Sequence, residues 1–258
     1  MKIDTVNCFV TSENNSGNPA AVVTNFVGSS LEKQQLATKL NLPVAVFIIE
    51  QHDQPYLLEF YYPHAEMPLC LHGTLGAAAI LLGKKIGKLT CVTKLGFLLQ
   101  ILKSENDLIQ VQVSWQATPK VPIDQDEICK LLRLNGSQQI ASNLPFMLAS
   151  VGSPKVLVPI LSMKLLAKLK PDFERIKQWS IAHQVNGLYV YTADVTSTPF
   201  NFYARGFNPK GGHPEDAATG VAAAALAYAL QRDIIVGQGR FMNKPSQIVV
   251  VYENDQQI

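Results

Sequence analysis

Two short stretches of this chain combine side chains able to move protons with the predicted start of a helix. Residues 70–74 read Cys-Leu-His-Gly-Thr, and residues 214–220 read Pro-Glu-Asp-Ala-Ala-Thr-Gly. Alanine-rich apolar runs follow each stretch and predict helices over 73–85 and 216–231. Because a helix N-terminus offers unpaired N–H groups and the positive end of a dipole, each stretch is expected to attract an anion.

His72 and Asp216 are the first candidates for catalysis, because an imidazole and a carboxylate beside one ligand suit general acid–base chemistry. Cys70 is a third candidate, since a thiol near a helix N-terminus has a lowered pKa and can act as a base towards carbon. Ordinary roles compete with these: helix capping for Glu215 and Asp216, a structural contact for His72, and packing for Cys70. The equivalent positions of His72 and Asp216 at two helix starts favour catalysis.

Substrate binding is expected at Asn18, whose turn Gly17–Pro19 presents a backbone amide, and at four residues of the helix starts, Gly73, Thr74, Thr219 and Gly220. The chain has no GxGxxG, P-loop or GxSxG motif, so no cofactor is expected. Its four cysteines are widely separated and lack a histidine at ligand spacing, which argues against a disulfide framework and a metal site. Proton transfer at carbon is the chemistry that fits best.

The elements around these stretches recur in the same order in both halves of the chain. Thr74 followed by three alanines matches Thr219 followed by three alanines, and the turn at Gly17–Pro19 matches one at Gly152–Pro154. Repeated order at near-constant spacing indicates a duplication. Because small side chains allow close backbone approach, the two alanine-rich helices are expected to lie inside curved sheets. Their N-termini would then meet at one cleft.

The coarse pattern predicts helices and strands on both sides of a linker at 114–122. Predicted helices cover 31–40, 73–85, 124–134, 161–169, 172–184 and 216–231, and Ser29 and Glu32 have the spacing of a capping box. Predicted strands cover 3–10, 20–24, 44–49, 57–62, 89–93, 96–102, 108–113, 155–159, 187–192 and 200–206. The first half-domain is expected over 1–115, completed by the C-terminal strand at 245–258, and the second over 120–244.

Composition describes a chain that can build a substantial core. Of its 258 residues, 47% are hydrophobic and 16% are charged, and the formal net charge is +2. These values argue against disorder and against nucleic-acid binding. The N-terminus lacks a secretory signal, and no apolar run is long enough to cross a bilayer, so no membrane association and a cytoplasmic location are expected.

Four stretches together resemble the phenazine-biosynthesis PhzF-like family, whose relatives include diaminopimelate epimerase, over nearly the full chain. They are Ser16–Val23, Leu69–Leu75, Glu215–Gly220 and Asn243–Ser246. The resemblance implies an α+β fold of two pseudo-symmetric domains, each a β-barrel-like sheet wrapped around a central helix, with the active site between them. It also implies a homodimer and a cofactor-independent isomerase that moves a proton on a small unsaturated carboxylic acid.

His72 and Asp216 match the family's histidine and aspartate, but the family's catalytic glutamate is replaced here by Val44. Three further departures lie near the expected ligand: Leu71 for a glycine, Pro68 for an acidic residue and Val221 for a serine. One hypothesis is therefore an isomerase in which His72 and Asp216 transfer the proton and Cys70 is a substitute base. The alternative is a catalytically silent relative that binds a metabolite or a protein partner.

Overall fold

The computed structural model describes residues 1–196 and 198–253, which form two compact units. The first unit holds residues 1–8 and 18–114, and the second holds residues 9–17 and the chain from Trp115 onward. Each unit consists of one mixed sheet with helices on both of its faces. The segment 112–124, which spans the predicted linker, contains no helix or strand.

The elements of the first unit are eight strands and two helices within its described residues. They are β1 (Lys2–Cys8), β2 (Asn18–Thr24), α1 (Ser30–Leu40), β3 (Val44–Ile49), β4 (Tyr56–Tyr62), β5 (Ala65–Met67), α2 (Leu71–Leu82), β6 (Gly87–Thr93), β7 (Leu98–Lys103) and β8 (Ile109–Val111). The elements of the second unit are α3 (Gln125–Leu132), β9 (Met147–Ala149), β10 (Lys155–Pro159), α4 (Met163–Lys168), α5 (Phe173–Ala182), β11 (Leu188–Thr192), β12 (Phe202–Phe207), β13 (Glu215–Asp216), α6 (Gly220–Leu230), β14 (Ile234–Gln238) and β15 (Ser246–Val250).

Both sheets are built in the same order. The first runs β1-β2-β3-β4-β6-β7-β8, and its successive pairs are antiparallel, parallel, antiparallel, parallel, antiparallel and antiparallel. The second runs β9-β10-β11-β12-β14-β15 and repeats the first five of these relations. In both, one short strand pairs outside this path, β5 with β4 and β13 with β12. The predicted fold class, two pseudo-symmetric α+β units, is confirmed.

Each sheet curls around one alanine-rich helix. Helix α2 contacts β1, β2 and β3 at one end of its sheet and β8 at the other, and α6 contacts β9, β10 and β15. A single helix can touch both ends of a sheet only if the sheet wraps around it. Small residues make this possible: a Cβ built on Gly76 would lie 3.3 Å from the Ala20 Cβ. On the outer faces, α1 packs against β2 and β3 in one unit, and α3, α4 and α5 pack against the other sheet.

Several boundaries differ from the predicted ones. Helix α2 begins at Leu71 rather than at residue 73, and it ends at Leu82 because Gly83 takes a positive φ of 52°. Four short strands, β5, β9, β13 and β14, were not predicted. The described residues contain no helix that is both long enough and apolar enough to cross a membrane.

The C-terminal strand belongs to the second sheet, so the expectation that it completes the first half-domain is wrong. Strand β15 pairs antiparallel with β14 from Ile234↔Val250 to Gln238↔Ser246, and it occupies the place that β7 has in the first sheet. Its apolar Ile248 is buried there. Residues 254–258 of that predicted strand lie outside the described residues.

Candidate active site

The start of α2 brings two of the predicted catalytic side chains into contact. Cys70 is the N-cap residue, with extended backbone angles, and His72 lies in the first turn. The Cys70 Sγ is 3.1 Å from the His72 Nδ1, and the two residues are only 2% and 4% exposed. A thiol and an imidazole at this separation can form a hydrogen bond, in which the donor depends on the histidine tautomer.

The surroundings hold this pair in place. The Thr74 hydroxyl and the Thr74 N–H both donate to the Cys70 carbonyl, at 3.0 and 2.9 Å. The Tyr62 hydroxyl lies 3.7 Å from the Cys70 Sγ. Thr74 is fully buried, and its two bonds support the Cys70 backbone.

Cys8 is a supporting residue that the sequence analysis missed. Its thiol donates to the His72 carbonyl at 3.1 Å, and burial raises the pKa of Cys8 to about 12, so it stays protonated. Asn18, predicted to bind substrate, is the register partner of Cys8 across β1 and β2 and is fully buried. Nothing in the sequence distinguished Cys8, because its contact with His72 joins residues far apart in the chain.

Val44 directly adjoins the first turn of α2. A Cβ built on Gly73 would lie 3.4 Å from the Val44 Cγ1 and 3.0 Å from the Phe60 Cδ1, so Gly73 permits a close approach between helix and sheet. Val44 is fully buried at the first position of β3. It therefore presents methyl groups, rather than a carboxylate, to the residue next to His72.

In the second unit, Asp216 lies on a strand and not in the first turn of a helix, which corrects the predicted helix start at residue 216. Asp216 lies in β13 and pairs there with Gly206 of β12. Helix α6 begins at Gly220, with Thr219 as its N-cap residue. The reason is Gln238, whose Nε2 donates to the Asp216 carbonyl at 2.7 Å. The Asp216 carbonyl is thus bonded by the Gln238 side chain. The Asp216 carboxylate is bonded separately, because the Thr219 hydroxyl donates to its Oδ2 at 2.9 Å.

Gln238 was also missed by the sequence analysis, although it organises this second group of residues. Besides its bond to Asp216, its Nε2 donates to the Thr219 Oγ1 at 2.9 Å, and its Oε1 accepts from the Thr219 N–H at 3.1 Å. Gly220 and Val221 follow as the first, buried residues of α6. Asp216, Thr219 and Gln238 form one hydrogen-bonded network, which we call the aspartate network.

Glu215 takes no part in helix capping, the ordinary role considered for it. The Arg205 Nε and Nη2 donate to its two carboxylate oxygens at 2.8 and 2.6 Å. The Arg205 Nη1 donates to the carbonyls of Leu166 and Leu169 at the end of α4. Since successive strand residues face opposite sides of a sheet, Glu215 faces α4 while Asp216 faces the side on which α6 lies.

Comparison with known proteins gives a consistent result. The model of the PhzC-PhzF family, described as phenazine biosynthesis-like protein, matches residues 6–258. A Clostridium acetobutylicum protein named as an uncharacterized isomerase is 30% identical over 219 residues, which cover 81% of this chain and 72% of that protein. A rat phenazine biosynthesis-like domain-containing protein is 28% identical, over 82% of this chain and 77% of its own.

Solved structures have the same fold. A Bacillus anthracis phenazine biosynthesis protein of the PhzF family superposes with a TM-score of 0.78 at 23% identity, over 96% of this chain and 90% of that one. A Pseudomonas aeruginosa protein described as a predicted epimerase gives a TM-score of 0.74 at 20% identity, over 96% and 89% of the two chains. With a family match along nearly its whole length and two units of the same topology, this chain belongs to the PhzC-PhzF family of phenazine biosynthesis-like proteins.

Proposed function

We propose that this protein is an isomerase of its family that moves a proton between carbons of a small unsaturated carboxylic acid and needs no cofactor. The observation that carries the proposal is the buried contact between the Cys70 Sγ and the His72 Nδ1 at the start of α2. Relatives named as isomerases support the reaction class.

Cys70 is the base in this proposal. Val44 has no titratable group, so the proton acceptor must be another side chain near the start of α2, and Cys70 lies at its N-cap. His72 takes the thiol proton and leaves a thiolate, which a helix N-terminus stabilises. The thiolate then removes a proton from carbon, the electron pair delocalises into the conjugated acid, and a proton returns to a different carbon. The overall reaction consumes no oxidant or reductant.

Asp216 is the second proton-transfer group in the proposal. Its orientation is set by the Thr219 hydroxyl on one carboxylate oxygen and by Gln238 on its backbone carbonyl. A carboxylate held in this way loses little entropy when it reacts. The amides of Gly220 in α6 and of Gly73 in α2 are each assigned to binding an acidic group, because helix N-termini favour anions.

A second candidate function is binding without catalysis. The observation in its favour is the apolar contact of Val44 and Phe60 with the first turn of α2, at the position where the family resemblance places a glutamate. Leu71, in place of a glycine, adds bulk to the same turn. A protein of this kind would bind a small acid and release it unchanged.

Proton exchange in heavy water tests the two candidates. The protein is incubated with a panel of small unsaturated hydroxy and amino acids, and loss of carbon-bound hydrogen is followed by NMR together with thermal-shift measurements of binding. We expect exchange for at least one acid and its loss in Cys70→Ser. A serine is a favourable N-cap residue, so this variant should keep its stability.

Cys129→Ser is the matched control for Cys70→Ser. Cys129 is also a buried free thiol, but it lies in α3 and packs among the apolar residues of the outer core. Exchange should survive in this control. A ligand that raises the melting temperature without any exchange would favour the binding protein, and full exchange in Cys70→Ser would remove the thiol from the mechanism.

A further inference from the structure

Tyr189 buries a hydroxyl group that has no hydrogen-bond partner within residues 1–196 and 198–253. The side chain is fully buried in the middle of the second sheet. Such a group costs stability, since its hydroxyl loses its bonds to water on folding and gains none. The neighbouring Tyr191, two residues further along β11 and equally buried, donates its hydroxyl to the Pro145 carbonyl at 2.8 Å. The difference between these two tyrosines requires an explanation.

The sheet register places Tyr189 in one row with Asp216. Tyr189 pairs with Gly206 across β11 and β12, and Gly206 pairs with Asp216 across β12 and β13. Residues opposite each other in adjacent strands share one face of the sheet. Gly206 has no side chain between the two, and a Cβ there would collide with the Thr219 Oγ1. The phenol of Tyr189, the hydroxyl of Thr219 and the carboxylate of Asp216 therefore lie on one face around Gly206.

The phenol can act only as a donor or acceptor of hydrogen bonds and not as a base. Burial, together with the negative charge of Asp216, raises the pKa of Tyr189, so the hydroxyl keeps its proton at neutral pH. The ion pair of Arg205 and Glu215 lies on the opposite face of the same strands and does not compete for this hydroxyl.

We propose that Tyr189 is a positioning residue for Asp216. In the resting protein the Asp216 Oδ2 accepts from Thr219, and during the reaction the Tyr189 hydroxyl comes to donate to the same carboxylate as well and holds it in place. The stability lost by leaving this hydroxyl without a partner is thereby recovered only in the reacting state. This inference rests on the proposed function of Asp216 in proton transfer.

The paired variants Tyr189→Phe and Tyr191→Phe test the proposal with opposite expectations. Tyr189→Phe should lower kcat at least tenfold, change KM less than twofold, and leave the melting temperature equal or higher, because an unpartnered hydroxyl is removed. Tyr191→Phe should lower the melting temperature, since it leaves the Pro145 carbonyl unpaired, and should keep kcat. Unchanged kcat in Tyr189→Phe, or a fall in its melting temperature as large as that of Tyr191→Phe, overturns the proposal.

Failure of the proposed function is recognised separately, because wild-type protein would then exchange no proton of any acid in the panel. Tyr189 is still tested in that case by NMR of protein labelled with carbon-13 at the tyrosine Cζ. The resonance missing from Tyr189→Phe should move in Asp216→Asn, while that of Tyr191 should stay. A Tyr189 resonance that does not respond to Asp216→Asn contradicts the inference.

Discussion

The segments that precede the two central helices differ far more than the sheets that surround them. In the first unit the chain enters α2 directly, so that Cys70 caps the helix and His72 lies in its first turn. In the second unit the chain first forms the two-residue strand β13, and Asp216 lies four residues before α6. Both sheets nevertheless repeat the same order of pairing. The comparison teaches that topology is set by packing of the sheets and helices, while the short entry segments are free to carry different chemistry.

The hydrogen bonds that hold the candidate catalytic side chains also differ between the two units. The pair of Cys70 and His72 is held through backbone carbonyls, which accept from Thr74 and Cys8. The aspartate network is held by side chains that bond to one another. A change in a supporting side chain should therefore disturb Asp216 more than it disturbs His72.

The largest expected effect concerns the ion pairs of the two equivalent short strands. Glu215→Gln leaves the Arg205 charge buried without its partner, and we expect the free energy of unfolding to fall by about 3–5 kcal/mol. In β5, the equivalent strand, Glu66 pairs with Lys94 at a surface where their side chains are 37% and 46% exposed. Glu66→Gln should cost less than about 1 kcal/mol. Urea denaturation measures both free energies of unfolding. Equal losses in the two variants would show that the two ion pairs contribute equally to stability.

The next largest effect tests the roles in proton transfer that are proposed for His72 and Asp216. His72→Ala and Asp216→Asn should each lower turnover by about a hundredfold or more, the usual scale of lost acid–base catalysis. If both groups act on one substrate, the double variant should lose less than the product of the two single losses. Steady-state kinetics of the wild type, the two single variants and the double variant measures these losses in turnover. Independent, multiplicative losses would indicate that the units do not share a reaction step.

Restoring a carboxylate at Val44 tests whether the first unit can be made to resemble its relatives. We expect Val44→Glu to fold, with a loss of about 1–3 kcal/mol from overpacking against Gly73 and Phe60, and to increase proton exchange. Burial should raise the pKa of the new carboxyl towards neutrality, which suits a base. The variant is compared with Val44→Gln, which has the same size and no charge, in the heavy-water assay.

The same experiment has a second arm in which Leu71→Gly and Val221→Ser are added. Activity only in this triple variant would mean that the ligand site, and not just the base, differs from that of the relatives. Robust wild-type exchange that Val44→Glu abolishes would instead support a different base, as assigned here to Cys70.

The smallest effect concerns the caps of the first unit's helices. Helix α1 has a capping box: the Ser29 side chain accepts from the Glu32 N–H, and the Glu32 carboxylate accepts from the Ser29 N–H. In contrast, the Cys70 side chain makes no cap bond to α2. Ser29→Ala should cost about 1 kcal/mol in urea denaturation. The hydrogen bond from Ser29 lowers the pKa of Glu32, so this stabilisation is present above the ordinary pKa of a glutamate and is lost as the pH falls through the lowered one. Stability of Ser29→Ala that matches wild type at neutral pH would contradict the role of the box.

Local patterns could be predicted from the sequence, and contacts between distant segments could not. Helix α1 and its capping box depend on neighbouring residues, and the predicted box is confirmed. The strand at Asp216 depends on pairing with Gly206 and on a bond from Gln238, which no local pattern indicates. A glutamine carries no chemical signal of its own, so the residue that sets the start of α6 was missed.

The sheet to which β15 belongs could not be predicted for the same reason, since a strand's own residues do not specify its neighbour. For the candidate site, the residue types and the resemblance indicated Cys70 and His72, but their contact and its support by Cys8 required the structure. Tyr189 carried no signal, because a buried tyrosine in a strand is ordinary until its hydroxyl is found without a partner.

The assignment of residues 9–17 to the second unit has a consequence for how the chain can be divided. Within that unit, the Gly17 N–H donates to the Pro245 carbonyl and the Gln247 N–H donates to the Phe9 carbonyl, while β1 and β2 on either side of this loop belong to the first sheet. A single cut in the linker at 114–122 should therefore leave two fragments that remain associated on a sizing column. Expressed separately, the C-terminal fragment should lack residues 9–17 of its own unit, whereas the N-terminal fragment contains the whole first unit and carries that loop in addition.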